Sequence, residues 1–319
     1  MIVTLTPNPS VDRTIEVDAL HRGAVLRARS TRVDPGGKGV NVSRALAANG
    51  RKTRAVLPAG GWEGEQLAAL LTPADVPVVV VPVAGSVRAN VSVVEPDGTV
   101  TKLNEPGPRL SPEEVEAVTA ATVTAAADAE WLACTGSLPP GAPIDFYARV
   151  VERLGGTTVK VAIDSSGAPL VAALEAGPDL IKPNREELAE ATGRQLLTLG
   201  DVVAAAEELR GRGVGAVLAS LGADGAVLVD ATGATFGSAT VERTRSAVGA
   251  GDAMLAGFLA GGGSGPEALR EALAWWAAAA SLPGSRKPTP DDLDPAAVVV
   301  TDDLQLDRPL GHNPGGTER

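Results

Sequence analysis

The chain reads as an α/β protein with a parallel-dominated central sheet flanked by helices and a small β-sheet lid, and three observations predict it. Short β-branched runs alternate with longer Ala/Leu/Glu/Arg stretches of helical period, an order that builds a parallel sheet covered on both faces. Two regions, about 12–33 and 86–104, break that order; in the second, Asp97-Gly98 between alternating residues reads as a hairpin turn, so the two are expected to form a separate small sheet. Glycine-rich turns follow several strands, where open α/β sheets bind ligands, and a lid over those strand ends fits that position.

In chain order, strands are expected at 2–5, 53–57, 76–81, 131–134, 159–163, 180–182 and 214–219, each a short apolar run rich in Val, Ile or Leu. Helices are expected to begin near Val40, Trp62, Ser111, Ile144, Ala168, Glu186, Val202, Ala250 and Pro266. There is no internal repeat. After Thr301 the chain turns polar and ends Gly-His-Asn-Pro-Gly-Gly-Thr-Glu-Arg, so 301–319 is expected as a disordered tail.

With 319 residues, 44% of them hydrophobic, the chain is long enough for one large α/β domain or two modest ones. Its 28 Lys and Arg against 39 Asp and Glu give a formal net charge of −11, which leaves no global basic footprint for nucleic acid; any phosphate must be held locally. The single Cys134 excludes an intrachain disulfide, and with only His21 and His312 there is little scope for a histidine triad or a His-ligated metal. No run reaches the ~18 apolar residues of a membrane span, and the first residues lack the flank and core of a signal peptide, so a cytoplasmic protein is expected.

The most informative string is Val248-Gly249-Ala250-Gly251-Asp252-Ala253-Met254, a glycine turn that delivers an aspartate to the start of an apolar helix. Such a turn gathers backbone N–H groups and the positive end of a helix dipole into an anion hole. Asp252 would repel a resting anion, so its chemistry fits a base beside a phosphate under attack; taken alone, the string reads as simply as a helix N-cap.

Five further loops carry candidate chemistry, four of them directly after predicted strands. Gly36-Gly37-Lys38-Gly39-Val40-Asn41 lets backbone approach a polar ligand while Lys38 and Asn41 point toward it, although it is equally a tight turn, and it is not a Walker loop. Asp12, in Asn8-Pro9-Ser10-Val11-Asp12, sits where a carboxylate can accept bonds from sugar hydroxyls or initiate a turn. Ser137, in Gly136-Ser137-Leu138-Pro139-Pro140, is free to donate to a phosphate or hydroxyl. Asn184 and Glu187 lie three residues apart at a helix start, a spacing that suits a hydrated magnesium or a capped acidic first turn. Ser220-Leu221-Gly222-Ala223-Asp224-Gly225 passes under a nucleotide or is a β-turn.

In this order the loops resemble those of the ribokinase-like carbohydrate kinases, the PfkB family, over about residues 1–300. The two signatures that carry the resemblance are Gly36–Leu46 and Val248–Met254. Gly-Ser-Leu-Pro-Pro-Gly, Asp164-Ser165-Ser166-Gly167 and Lys182-Pro183-Asn184-Arg185-Glu186-Glu187 look like the branch that acts on sugar phosphates, and the opening Thr-Pro-Asn-Pro-Ser-Val-Asp most resembles its kinases of fructose 1-phosphate.

The resemblance implies a ribokinase-like fold, a single kinase domain at 1–300, ATP and Mg2+ as cofactors, and a homodimer joined through the lid sheet. It implies Asp252 as catalytic base, with the backbone of Gly249, Ala250 and Gly251 as anion hole. Asp12, Gly37, Lys38 and Asn41 would hold the sugar, and Lys38, Arg27, Arg88 and Ser137 its existing phosphate. Lys182, Asn184, Ser220, Gly222 and Gly225, with Gly284 near adenine, would bind nucleotide, and Asn184 and Glu187 would orient the metal through water.

Ala247 stands where the branch often has threonine. The expected activity is phosphorylation of fructose 1-phosphate, with fructose 6-phosphate and tagatose 6-phosphate as rival acceptors and a non-catalytic sugar-phosphate-binding protein as the reading from another class. A dinucleotide oxidoreductase is disfavoured because no G-x-G-x-x-G follows the first strand.

Overall fold

Ile2, Val3 and Leu5 are buried because the first strand runs inside the main sheet, with a parallel neighbour on each side. The computed structural model describes residues 1–241, 243–246 and 248–311. In chain order its elements are β1 (Ile2–Leu5), β2 (Ser10–Glu16), β3 (Ser30–Gly36), α1 (Lys38–Ala48), β4 (Thr53–Ala59), α2 (Gly61–Leu71), β5 (Val78–Pro82), β6 (Arg88–Val94), β7 (Val100–Asn104), α3 (Pro112–Ala126), β8 (Trp131–Thr135) and α4 (Phe146–Leu154). There follow β9 (Lys160–Asp164), α5 (Gly167–Leu174), β10 (Leu180–Ile181), α6 (Arg185–Thr192), α7 (Leu199–Gly211), β11 (Ala216–Ser220), β12 (Ala226–Asp230), β13 (Gly233–Ala239), α8 (Ala250–Ala260), α9 (Gly265–Ser281) and β14 (Val298–Thr301).

The main sheet has ten strands in the order β14-β13-β12-β11-β10-β9-β8-β1-β4-β5. Pairing is parallel from β5 to β11, with Thr4 opposite Ala55 on one side and Ala133 on the other. Beyond β11 it becomes antiparallel through β12, β13 and β14, an extension that the strand pattern did not announce. The sheet is therefore mixed. β13 reads Gly-Ala-Thr-Phe-Gly-Ser-Ala, whose glycines and alanines carry weak strand preference, and it is held by its neighbours rather than by its own propensity.

Alternation along each strand divides the core between the two faces. Val3, Leu5, Leu132 and Cys134 pack with α3 to α7 through residues such as Val118, Phe146, Leu170, Leu188 and Val202. Ile2, Trp131 and Ala133 face α1, α8 and α9 through Leu46, Met254, Phe258 and Trp275. A smaller cluster of Val11, Val40, Leu57, Leu67, Leu71 and Val87 ties the second sheet to this body.

That second sheet, order β3-β2-β6-β7, is built from the two regions that interrupt the α/β order. β2 pairs parallel with β6, and β6 and β7 form the hairpin, with the Gly98 N–H donating to Glu95 O at 3.0 Å.

Residues 302–311 correct the expectation of a free tail. Leu310 is buried, its N–H donates to Leu197 O at 2.9 Å, and Arg308 lies 4.9 Å from the Phe236 ring centre. The polar letters belong to a strap that uses backbone bonds more than apolar side chains, which is why composition misled. The remainder of that segment, 312–319, and Ala247 lie outside the described residues. Leu310→Ala is expected to cost about 2 kcal/mol of unfolding free energy by emptying the contact under the strap, measurable by urea denaturation. An unchanged midpoint would mean that the strap adds nothing to stability.

Candidate active site

α8 begins at a glycine because the turn before it needs a left-handed residue. Gly249 caps the helix with φ of 77° and supplies no side chain to the cap. The Ala253 N–H is the first to bond back, to Gly249 O at 2.9 Å, so the N–H groups of the preceding turn have no intrahelical partner. They form the positive end of the helix, and Asp252 stands within that turn, only 8% exposed.

Two neighbours fix this turn. A side chain at Gly257 would meet the Trp275 ring at 2.8 Å, so glycine lets α8 and α9 pack closely. On the other side the Asn41 amide of α1 donates to Asp252 Oδ2 at 2.9 Å. α1 is itself pinned through Ser43, whose hydroxyl is 2.8 Å from both Thr4 and Thr53 Oγ1. Its cap, Gly37, has φ of 110° and lies where a Cβ would fall 2.6 Å from the Thr6 methyl. The starts of α1 and α8 thus meet at the carboxyl end of β1, the expected ligand position of an open α/β sheet.

Beside them Asp164 ends β9, 1% exposed, with Lys38 Nζ 2.8 Å from one carboxylate oxygen and Lys182 Nζ 3.1 Å from the other. Burial alone would raise the Asp164 pKa, but Lys182 and Lys38 hold it below the ordinary value. Burial likewise opposes the charge on Lys38, yet Asp164, Glu187 and Asp252 keep its pKa raised. Asp252 moves the other way. Burial lifts its pKa and the Asp164 charge adds to the lift, while Lys287, Lys38 and the Asn41 bond hold it down. A carboxylate so placed is a better proton acceptor than an exposed one.

The other expected residues divide into those joined to this centre and those held by different contacts. Asp12 accepts from Ser10 Oγ at 2.7 Å and Asn90 Nδ2 at 3.0 Å, and its carboxylate lies over Gly36, where a Cβ would come within 2.4 Å of it. Arg88 bonds Glu105 O and Asn8 O, and the Asn8 amide reaches Ser137 Oγ at 3.4 Å, which links β6 to the loop after β8. Arg27 is exposed between β2 and β3 and takes no part in these contacts.

Asn184 and Glu187 form a reciprocal cap on α6, each side chain bonding the other's backbone N–H at 2.8 Å. The cap engages only Oε2 of Glu187. Burial raises the pKa of this carboxyl, and the charges of Lys38, Asp164 and Lys182 all act on it. No cluster of three His, Cys, Asp or Glu able to cage a metal occurs among the described residues. Two oxygen-bearing side chains at a helix start could hold a largely hydrated magnesium, which takes few protein oxygens.

Ser220 adjoins this cap through a bridge to Asn184. Gly222 faces open space, whereas Gly225 is explained by its neighbour, since a Cβ there would fall 2.1 Å from Gly237 O of β13. Gly284 lies against the Arg32 guanidinium of β3, so its contact is with the small sheet. Two residues received no role from sequence. Asp164 was visible as the carboxylate that ends a strand in Asp-Ser-Ser-Gly, and Lys287 as a cation in the loop after α9, but only their burial beside other charges sets them apart.

The model of the pfkB family carbohydrate kinases matches residues 5–292. A 1-phosphofructokinase of Rhodobacter capsulatus is 38% identical over 94% of this chain and 96% of its own. An ATP-dependent 6-phosphofructokinase isozyme 2 of Mycobacterium tuberculosis is 36% identical over 92% and 88%. Among solved structures, phosphofructokinase-2 of Escherichia coli in complex with substrates and products superposes with a TM-score of 0.86 at 34% identity, covering 91% of this chain and 96% of that one. A ribokinase of Thermotoga maritima, 20% identical, shares the fold with a TM-score of 0.75 over 92% and 97%. Fold and relatives together define a sugar kinase of the ribokinase-like class. The chain belongs to the pfkB family of carbohydrate kinases.

Asp164→Asn is expected to lower the unfolding free energy by about 3 kcal/mol at neutral pH, because Lys182 would be left buried without its counter-charge. The folded-state pKa of Asp164 lies below the unfolded one, so its stability is present above the unfolded pKa and lost as pH falls through the folded value. Denaturant titrations should therefore show wild type and variant converging in acid; a gap independent of pH would contradict the pairing.

Proposed function

We propose that this chain transfers the γ-phosphoryl group of ATP to the 6-hydroxyl of fructose 1-phosphate, giving fructose 1,6-bisphosphate and ADP. The observation that carries the reading is the buried Asp252 carboxylate in the first turn of α8, bonded by Asn41 and raised in pKa beside unpaired helix N–H groups. Its relationship to the Rhodobacter capsulatus 1-phosphofructokinase supports the choice of sugar.

In this mechanism Asp252 accepts the proton of the 6-hydroxyl as that oxygen bonds to phosphorus. The bond from phosphorus to the bridging oxygen breaks, and its electron pair leaves on ADP. The N–H groups of Gly249, Ala250 and Gly251 stabilise charge on the phosphoryl group in transit. Asp12, Gly37, Lys38 and Asn41 orient the sugar, while Arg27, Arg88 and Ser137, with Lys38, bind its resident phosphate. Lys182, Ser220, Gly222, Gly225 and Gly284 line the nucleotide side. Asn184 and Glu187 would hold magnesium, which would neutralise charge on the nucleotide phosphates. The small sheet closes over the sugar and excludes water that would otherwise take the phosphoryl group.

A second acceptor, fructose 6-phosphate, is favoured by the similarity to the Mycobacterium tuberculosis and Escherichia coli enzymes. The test is ADP release from Mg-ATP with fructose 1-phosphate, fructose 6-phosphate, tagatose 6-phosphate and fructose at equal concentration. Fructose 1-phosphate is expected to give a kcat/KM at least about tenfold above the others. A preference for a 6-phosphate would move the activity to the second acceptor, and no turnover of any would support a binding protein instead.

Two copies are proposed to join through the outer face of the small sheet. Leu20, Val25, Val100 and Leu103 are exposed on this sheet and its connections, and Leu103 on β7 is the side chain this reading places against the second copy. Sedimentation should give a dimer for the wild type and a monomer for Leu103→Glu; a wild-type monomer at micromolar concentration would contradict this.

A further inference from the structure

The segment after α9 carries a lysine that the mechanism above does not use. Lys287 is 8% exposed, and its Nζ is buried without a hydrogen-bond partner among the described residues. A buried ammonium that bonds to nothing is costly, and proteins keep one where something else completes it. Its position indicates what that is. The point where a side chain would start at Gly249 lies 2.8 Å from Lys287 Nζ and 4.0 Å from Asp252 Oδ2. The corresponding point at Gly251 lies 3.7 Å from Lys182 Nζ. The anion turn is thus flanked by two lysines, of which Lys182 is already paired with Asp164 and Lys287 is not.

We propose that the Lys287 ammonium contacts the phosphoryl group as it passes from nucleotide to sugar, acting as a second source of positive charge beside the backbone of Gly249–Gly251. This rests on the reading of α8 as the site of transfer and extends it to a residue outside both signature strings. The chemistry agrees with the surroundings. Phosphoryl transfer spreads negative charge over the non-bridging oxygens, and a fixed cation in a site shielded from water stabilises that charge more than it does the ground state. Asp252, Asp34 and Asp12 provide the background that keeps a cation there, while Arg44 opposes it; burial pushes the Lys287 pKa down to about 8.

A lysine serving only as a counter-charge for Asp252 would affect stability and proton uptake, but would not distinguish a planar phosphoryl mimic from its absence. The deciding measurement is calorimetric binding of magnesium ADP with and without aluminium fluoride, in the presence of fructose 1-phosphate, to wild type, Lys287→Met and Lys287→Arg. In Lys287→Met the affinity gained from fluoride is expected to fall at least about tenfold and kcat about a hundredfold, with ADP affinity nearly unchanged and Lys287→Arg intermediate. An undiminished fluoride gain in a folded Lys287→Met protein would overturn the proposal.

If that variant does not fold, limited reductive methylation of the wild type replaces it. Fluoride with magnesium ADP should protect Lys287 from labelling more than magnesium ADP alone, and equal labelling would overturn the proposal. A wild type that binds the fluoride complex yet turns over none of the sugar phosphates would count against the sugar assignment alone, since the binding comparison still decides the role of Lys287.

Discussion

The arrangement of this site depends on one buried carboxylate holding two lysines. Asp164, at the end of β9, pairs with Lys182 and Lys38 together, and both ammonium groups lie at the carboxyl ends of the central strands. Without it, Lys182, 5% exposed, would be a bare charge in the protein interior. With it, positive charge is kept where phosphate must come in a protein whose net charge is −11. The same carboxylate raises the proton affinity of Asp252. One ion-pair network therefore bears on both anion binding and proton acceptance, and the helix starts at Lys38 and Ala250 are positioned around it.

Much of this was legible because it is written in local chemistry. The central parallel strands follow from β-branched runs, and all nine helix starts fell within a few residues of their expected places, as the Ser111 and Asn184 capping boxes illustrate. The small sheet was visible as two interruptions and an Asp-Gly turn. Gly249 and Asp252 were visible because a left-handed cap and a helix-borne carboxylate need particular residues at fixed spacing.

What escaped depends on contacts between distant parts of the chain. β13 is a strand by pairing, since Gly237 lacks strand propensity but lies opposite Ala226 in register. Gly225 was read from its loop alone, and the close β13 backbone is a further reason for glycine there that no local pattern shows. Residues 302–311 looked like a tail because backbone bonds to α7 leave no mark in hydropathy. Asp164 and Lys287 are ordinary charged residues in sequence, and only burial beside other charges sets them apart.

The central claim is that Asp252 receives the proton of the attacking hydroxyl, and its most direct test is Asp252→Asn compared with wild type in both turnover and binding of fructose 1-phosphate. The account predicts that kcat falls by about a thousandfold while the dissociation constant of the sugar phosphate stays within a few-fold, since asparagine keeps the shape and the Asn41 neighbour but cannot accept the proton. A variant that turns over at near wild-type rate would contradict it, and so would one whose loss of rate is matched by an equal loss of sugar binding.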